Sequence, residues 1–169
     1  MNLVFDIETD GLLHDLTQIH CIGIHDLDTG EDFAFNDVGG EPITRAIGML
    51  EDAERLIGHN IINFDIPAIW SLFPFFESKG TIIDTLLLSR LYHADLLEID
   101  KKRDRKNMPT KLYGSHSLES YGYRLGEYKA SIETDWKQWS QEMQDYMMQD
   151  VQVTKKLWKH FLPYLSGSN

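Results

Sequence analysis

Residues 3–13 read LVFDIETDGLL, and no other stretch limits the fold so tightly. Leu3, Val4, Phe5 and Ile7 are side chains of a buried strand, yet Asp6 and Glu8 interrupt the same run. On a strand, residues two apart point to one face. Asp6 and Glu8 therefore project side by side from an element that otherwise belongs in the core. Two carboxylates placed this way repel each other and lose hydration, a penalty on the order of several kcal/mol. No Lys or Arg adjoins either residue in the sequence to offset it.

The rest of the chain says what kind of sheet this strand enters. Residues 2–8 read as a strand ending at TDG, QIHCIGIHD as a second, and EDFAFN as a third after the turn DTG, which makes a β-meander. EPITRAIGMLEDA has helical spacing at Ile43, Ile47 and Leu50, with Pro42 at its start. RLIGHN reads as a short buried strand, FDIPAIWSLF as a helix with Pro67 in its first turn, and GTIID as another strand. TLLLSRLYHA then forms a helix capped by Asp84. Residues 95–114 lack periodicity and read as a mobile insertion. SLESYGYRLG is a helical turn or two that stops at Gly126, and the last long helix runs from about Trp139 to Phe161. The expectation is one α/β domain over residues 1–165, with a mixed five-stranded sheet flanked by helices and a polar tail at 166–169.

Three more acidic positions gain weight from where they fall. Trp139, Met143, Tyr146, Met147, Asp150, Thr154, Leu157 and Phe161 recur at steps of three and four, so they share the stripe that should face the sheet. Asp150 sits mid-stripe, with Tyr146 one turn before it. Asp65 follows GHNIIN at a strand–helix junction. Each has an ordinary alternative: Asp65 as a helix cap, Tyr146 as packing, Asp150 and Asp145 as solvent-facing if the stripe is rotated. Four carboxylates (Asp6, Glu8, Asp65, Asp150) at strand ends or on a core-facing stripe strain those alternatives when taken together. A pair of divalent cations such as Mg²⁺ or Mn²⁺, which prefer carboxylate oxygen, would relieve them. Two such ions about 4 Å apart suit an in-line phosphoryl displacement. Zinc fits less well, because there is one cysteine, Cys21, and the seven histidines show no paired spacing.

DIET, HNIINFD and YMMQD resemble the three motifs of the DEDD-type 3′–5′ exonucleases, in the subtype with tyrosine in the third motif. IDTLLLSRLYH, GSHSLESYGYRLGEYKA and QEMQDYMMQDVQVTKKL further resemble the proofreading exonuclease domain of phage-type family A DNA polymerases. The resemblance runs from residue 2 to about 162 and implies a ribonuclease-H-like fold. It also implies that Asp6, Glu8 and Asp150 hold a first metal and that Asp6 and Asp65 hold a second. Tyr146 would orient the attacking water, Asn60 and Phe64 would shape the pocket for the 3′ nucleotide, and Thr9 and Leu12 would contact the last base. The implied substrate is a single-stranded or frayed DNA 3′ end, with RNA as the alternative and a separate DNA polymerase as a candidate partner. A non-catalytic DNA-binding or polymerase-docking module is the other reading. Loops around 94–114 and 131–139 look shorter than in the polymerases.

Charge and cysteine content narrow the setting. A formal net charge of −11 argues against broad non-specific duplex binding. Six of the sixteen Lys and Arg residues nonetheless cluster in KKRDRKNMPTK, namely Lys101, Lys102, Arg103, Arg105, Lys106 and Lys111. The single cysteine suits a reducing compartment. No apolar run reaches membrane-spanning length, so the expectation is a soluble, cytoplasmic protein with no membrane partner, in the host cytoplasm if phage-encoded.

Overall fold

The computed structural model describes residues 1–127 and 131–167. β1 (Asn2–Thr9), β2 (Ile19–Asp26) and β3 (Asp32–Phe35) form the meander, and β4 (Arg55–Gly58) and β5 (Thr81–Asp84) complete a sheet of order β3-β2-β1-β4-β5. β1 pairs antiparallel with β2 and parallel with β4, so the sheet is mixed and β1 is its middle strand. This is the α/β, ribonuclease-H-like arrangement expected.

The alternation of β1 sorts its side chains between two cores. Leu3, Phe5 and Ile7 point to the face covered by α1 (Ile43–Asp52) and α2 (Ile66–Leu72), packing with Ile43, Leu50, Ile66 and Ile69. Val4 points to the opposite face, where it meets Cys21, Ile57, Met147, Val151 and Trp158. That face is covered by α6 (Gln141–Ser166), with α3 (Thr85–Tyr92) and α5 (Leu118–Arg124) alongside. Asp6 and Glu8 share the parity of Val4 and therefore lie on the α6 side. All eight residues of β2 are buried, since both faces of the sheet are covered there.

Three expectations need correction. Residues 95–114 are not a structureless insertion: α4 (Leu96–Lys102) and a 3₁₀ turn at Thr110–Leu112 occupy them. The helix escapes periodicity because only Leu96 and Asp100 turn inward, and Asp100 is stabilised by Arg124 from a distant element. α6 starts two residues after Trp139, because the Ser140 hydroxyl caps it by accepting from the Met143 N–H at 3.1 Å. It also continues past Phe161, carrying Pro163 within its last turn, so Ser166 of the expected tail is its final residue and Gly167 its cap. Residues 168 and 169 lie outside the described residues, as does the 128–130 part of the GEYKA motif. No helix among the described residues is long and apolar enough to cross a membrane.

Candidate active site

Asp6 and Glu8 reach the α6 face of the sheet because of strand parity, and Asp150 reaches it because α6 lies unusually close. Gly23 sits opposite Asp6 in β2. A Cβ there would lie 2.7 Å from Met148 Sδ and 3.0 Å from Val151 Cγ2, and closer still to Met147 Sδ. Glycine leaves the room into which these two methionine side chains and Val151 pack, so the helix settles close to the strand. One carboxylate oxygen from each of Asp6, Glu8 and Asp150 then falls within 4.8 Å of the other two. Asp150 is buried, while Asp6 and Glu8 are half-buried. The electrostatic imprint is visible on Cys21, which faces Glu8 across the β1–β2 ladder: burial, then the charges of Glu8 and Asp6, push its thiol well up.

Asp65 arrives from a different element. After β4, Asn60 adopts a left-handed backbone (φ 63°), which asparagine tolerates better than most residues, and a single π-helical turn spans Ile61–Asp65. Beyond the end of the β1–β4 ladder, the Ile7 N–H donates to Asp65 Oδ2 at 3.2 Å. Burial, with the Ile7 bond opposing it and the charges of Glu8 and Asp84 adding to it, pushes the Asp65 carboxyl well up. Asp65 is not among the three carboxylates whose oxygens meet.

The turn carrying Asp65 is fixed by Asp84, whose role extends past the expected cap. Its carboxylate accepts from Leu86 N–H (2.9 Å), Asn60 N–H (2.8 Å) and Ile62 N–H (3.1 Å). The neighbouring His59 is tied down on both ring nitrogens, to Thr85 Oγ1 (2.8 Å) and the His116 carbonyl (2.9 Å), so it serves the frame.

Beside the carboxylates opens a cavity of about 360 Å³ whose walls include Glu8, Thr9, Leu12, Phe64 and Trp136. Three of the four substrate-binding candidates thus come together. Asn60 is not in that wall and acts through its backbone. Thr9 Oγ1 donates to the Gly11 carbonyl at 2.7 Å, which shapes the turn leading to the exposed Leu12. Tyr146 lies one turn before Asp150, its ring edge-on to that of Trp136 at 6.4 Å.

Sequence reasoning missed Trp136. The segment before α6 has no periodicity to single it out, and its position depends on a long-range tether from His20 Nε2 to the Trp136 carbonyl at 2.7 Å. Gly23 was equally invisible, since a glycine inside a strand shows a close approach only once the approaching helix is known. The donor set of three carboxylates suits a hard divalent cation such as Mg²⁺ or Mn²⁺.

The sheet order, the helices on its two faces and this acidic triple define a ribonuclease-H-like domain. A family model described as the RNase_H superfamily matches residues 3–162, and the chain belongs to that superfamily. It is 33% identical to the DNA-directed DNA polymerase of Escherichia phage T7 over 192 aligned positions, which cover 95% of this chain and 27% of the polymerase. The chain thus spans about a quarter of the length of that relative. Among solved structures, E. coli Exonuclease I in complex with a dT13 oligonucleotide superposes with a TM-score of 0.62 at 17% identity, over 98% of this chain and 42% of that one. The family B DNA polymerase of Pyrobaculum calidifontis gives 0.55 at 17%, over 96% and 24%. At such identities these two likenesses speak for the fold alone.

Proposed function

We propose that this chain is a metal-dependent 3′–5′ exonuclease that removes nucleotides from single-stranded or frayed DNA ends as 5′-monophosphates. The observation that carries the reading is the convergence of Asp6, Glu8 and Asp150 within 4.8 Å, beside a cavity with an aromatic and aliphatic wall. The resemblance of DIET, HNIINFD and YMMQD to the exonuclease motifs, and the likeness to a phage polymerase, support it.

Asp6, Glu8 and Asp150 would hold one divalent cation, and Asp6 with Asp65, directly or through water, a second. Bound there, such ions lower the pKa of a coordinated water and offset charge on the phosphate and the leaving oxygen. The residues of the chain supply the geometry. Leu12, Phe64 and Trp136 grip the terminal base by stacking and apolar contact, which every base can offer, so sequence preference is weak. Tyr146, one turn before Asp150, would orient the attacking water through its hydroxyl in line with the scissile bond.

Residues 1–165 act as one domain in this reading, working in the cytoplasm and in a phage-infected host if the chain is phage-encoded. End-labelled single-stranded DNA, a mismatched duplex and matched RNA, each with and without Mg²⁺ or Mn²⁺, test it. Stepwise shortening from the 3′ end that requires metal and disappears in Asp150→Asn is expected. Turnover that survives Asp150→Asn, or proceeds in EDTA, refutes it. Faster cleavage of RNA than of DNA transfers the assignment to the exoribonuclease alternative. Tight DNA binding without turnover in either metal transfers it to the non-catalytic module.

A further inference from the structure

A second cavity, of about 400 Å³, opens where the end of α3 meets α4, α5 and the last turns of α6; Arg103, Arg105, Arg124, His93, His160 and Tyr164 are among its walls. His160 lies ten residues beyond Asp150 on α6, about 15 Å along the helix axis. The cavity is therefore separate from the carboxylate site.

Its electrostatics run against those of the protein. At its back, Asp100 is fully buried and accepts from Arg105 Nε (3.0 Å), Arg124 Nε (3.1 Å), Arg124 Nη2 (2.8 Å) and the Gly114 N–H (2.8 Å). One carboxylate thus faces two guanidinium groups, which leaves a positive charge in surplus. Arg124 also commits Nη1 to Ser120 Oγ at 2.8 Å. Arg105 spends only Nε on Asp100, and its Nη groups make no hydrogen bond among the described residues. Arg103 adds a further cation at the exposed mouth, partly offset by Asp95 on the rim. A chain of net charge −11 here concentrates cation in a concave, partly desolvated place.

The remaining walls complete the lining. His93 and His160 bring their Nε2 atoms within 2.7 Å, so one donates to the other and the pair shares a proton position. Tyr92 and Tyr164 lie with ring centroids 5.1 Å apart, their planes inclined by 42°, and give the wall its aromatic surface. Uncommitted guanidinium N–H groups match tetrahedral phosphate oxygens, and aromatic faces match a base.

We propose that this cavity binds the phosphate of a nucleotide, with Arg103 and Arg105 as its donors. The phosphate comes either from a free mononucleotide or from the backbone of a bound strand. The proposal rests on the cavity's own geometry and is independent of the carboxylate chemistry.

Calorimetric titration in EDTA, where hydrolysis plays no part, tests it with deoxyadenosine 5′-monophosphate, deoxyadenosine, inorganic phosphate and an eight-nucleotide oligothymidylate. Binding of the monophosphate and not of the nucleoside is expected. Arg103→Gln and Arg105→Gln should each weaken monophosphate binding roughly tenfold, the loss typical of one charge-assisted contact, and Asp6→Asn should leave it unchanged. Arg103→Gln is a surface change that keeps the test valid even where Arg105→Gln disturbs the Asp100 cluster. If the oligonucleotide weakens in parallel, the backbone is the source; if only the monophosphate weakens, the free nucleotide is. Equal binding of nucleoside and monophosphate overturns the proposal, as does monophosphate affinity indifferent to Arg103→Gln or lost in Asp6→Asn. Either failure leaves the exonuclease reading intact, because that reading is tested by metal-dependent turnover.

Discussion

Replacing Gly23 by valine should pry the acidic triple apart without touching any of its members. The added Cβ meets Met148 Sδ at 2.7 Å and Val151 Cγ2 at 3.0 Å, and Met147 Sδ more closely still. Comfortable contact needs about 3.5–4.0 Å, so the neighbours must retreat by roughly 1 Å. Met148 is half-buried and can swing aside, but Met147 and Val151 are fully buried, so their side chains must repack inside the core or carry the helix with them. Overpacking of this kind costs about 1–3 kcal/mol, and valine's two γ-methyls put it toward the upper end. Asp150 rides on the same stretch of α6 as Val151, so a shift of about 1 Å carries its carboxylate past the roughly 0.5 Å tolerance of an organised site. Mn²⁺ affinity should drop about tenfold or more, read by titration, with stability read by urea denaturation. Gly48→Ala in α1 is the control: nothing lies within 4 Å of a Cβ there, and replacing a helical glycine gains about 0.5–1 kcal/mol. If Gly23→Val keeps its urea midpoint and its Mn²⁺ affinity, the helix is not held against the strand in the way argued.

Other expectations follow from neighbouring groups. Burial pushes the His59 imidazole down to about 4. The unfolded chain therefore takes up this proton near pH 6.5 while the folded one refuses it, and stability is lost as pH falls from about 6.5 through about 4. The contribution is roughly 3 kcal/mol over that window. Urea denaturation at pH 7.5 and pH 4 should show a smaller acid loss for His59→Gln than for the natural protein, and equal losses would contradict the assignment. Tyr146→Phe keeps the ring that meets Trp136 and removes only the hydroxyl. It should leave stability within about 0.5 kcal/mol and lower kcat by about tenfold to a hundredfold, less than Asp6→Asn does. A raised KM with kcat intact would mean the phenol binds substrate and takes no part in orienting water.

What could be read from the sequence was whatever local periodicity encodes. Strand parity placed Asp6 and Glu8 on one face, and helical spacing put Asp150 and Tyr146 on the sheet-facing side of α6; the structure brings the three carboxylates together and sets Tyr146 against Trp136. Asp84 was legible as a cap because capping is a three-residue signal, but its hold on Asn60 and Ile62 was not, since those bonds join elements more than twenty residues apart. α4 went unseen for a related reason. Its inward side rests on Asp100, a charged residue that no hydrophobic pattern marks, and the Arg124 that makes its burial tolerable comes 24 residues later. Trp136 depends on a histidine in β2, far from it in the chain.

Asp6 and Asp150 lie far apart in the chain and meet only through tertiary structure. The acidic triple therefore has no local existence: neither the strand nor the helix holds it alone, and a chain in which α6 has come away from the sheet keeps all three carboxylates yet no longer gathers them around one point.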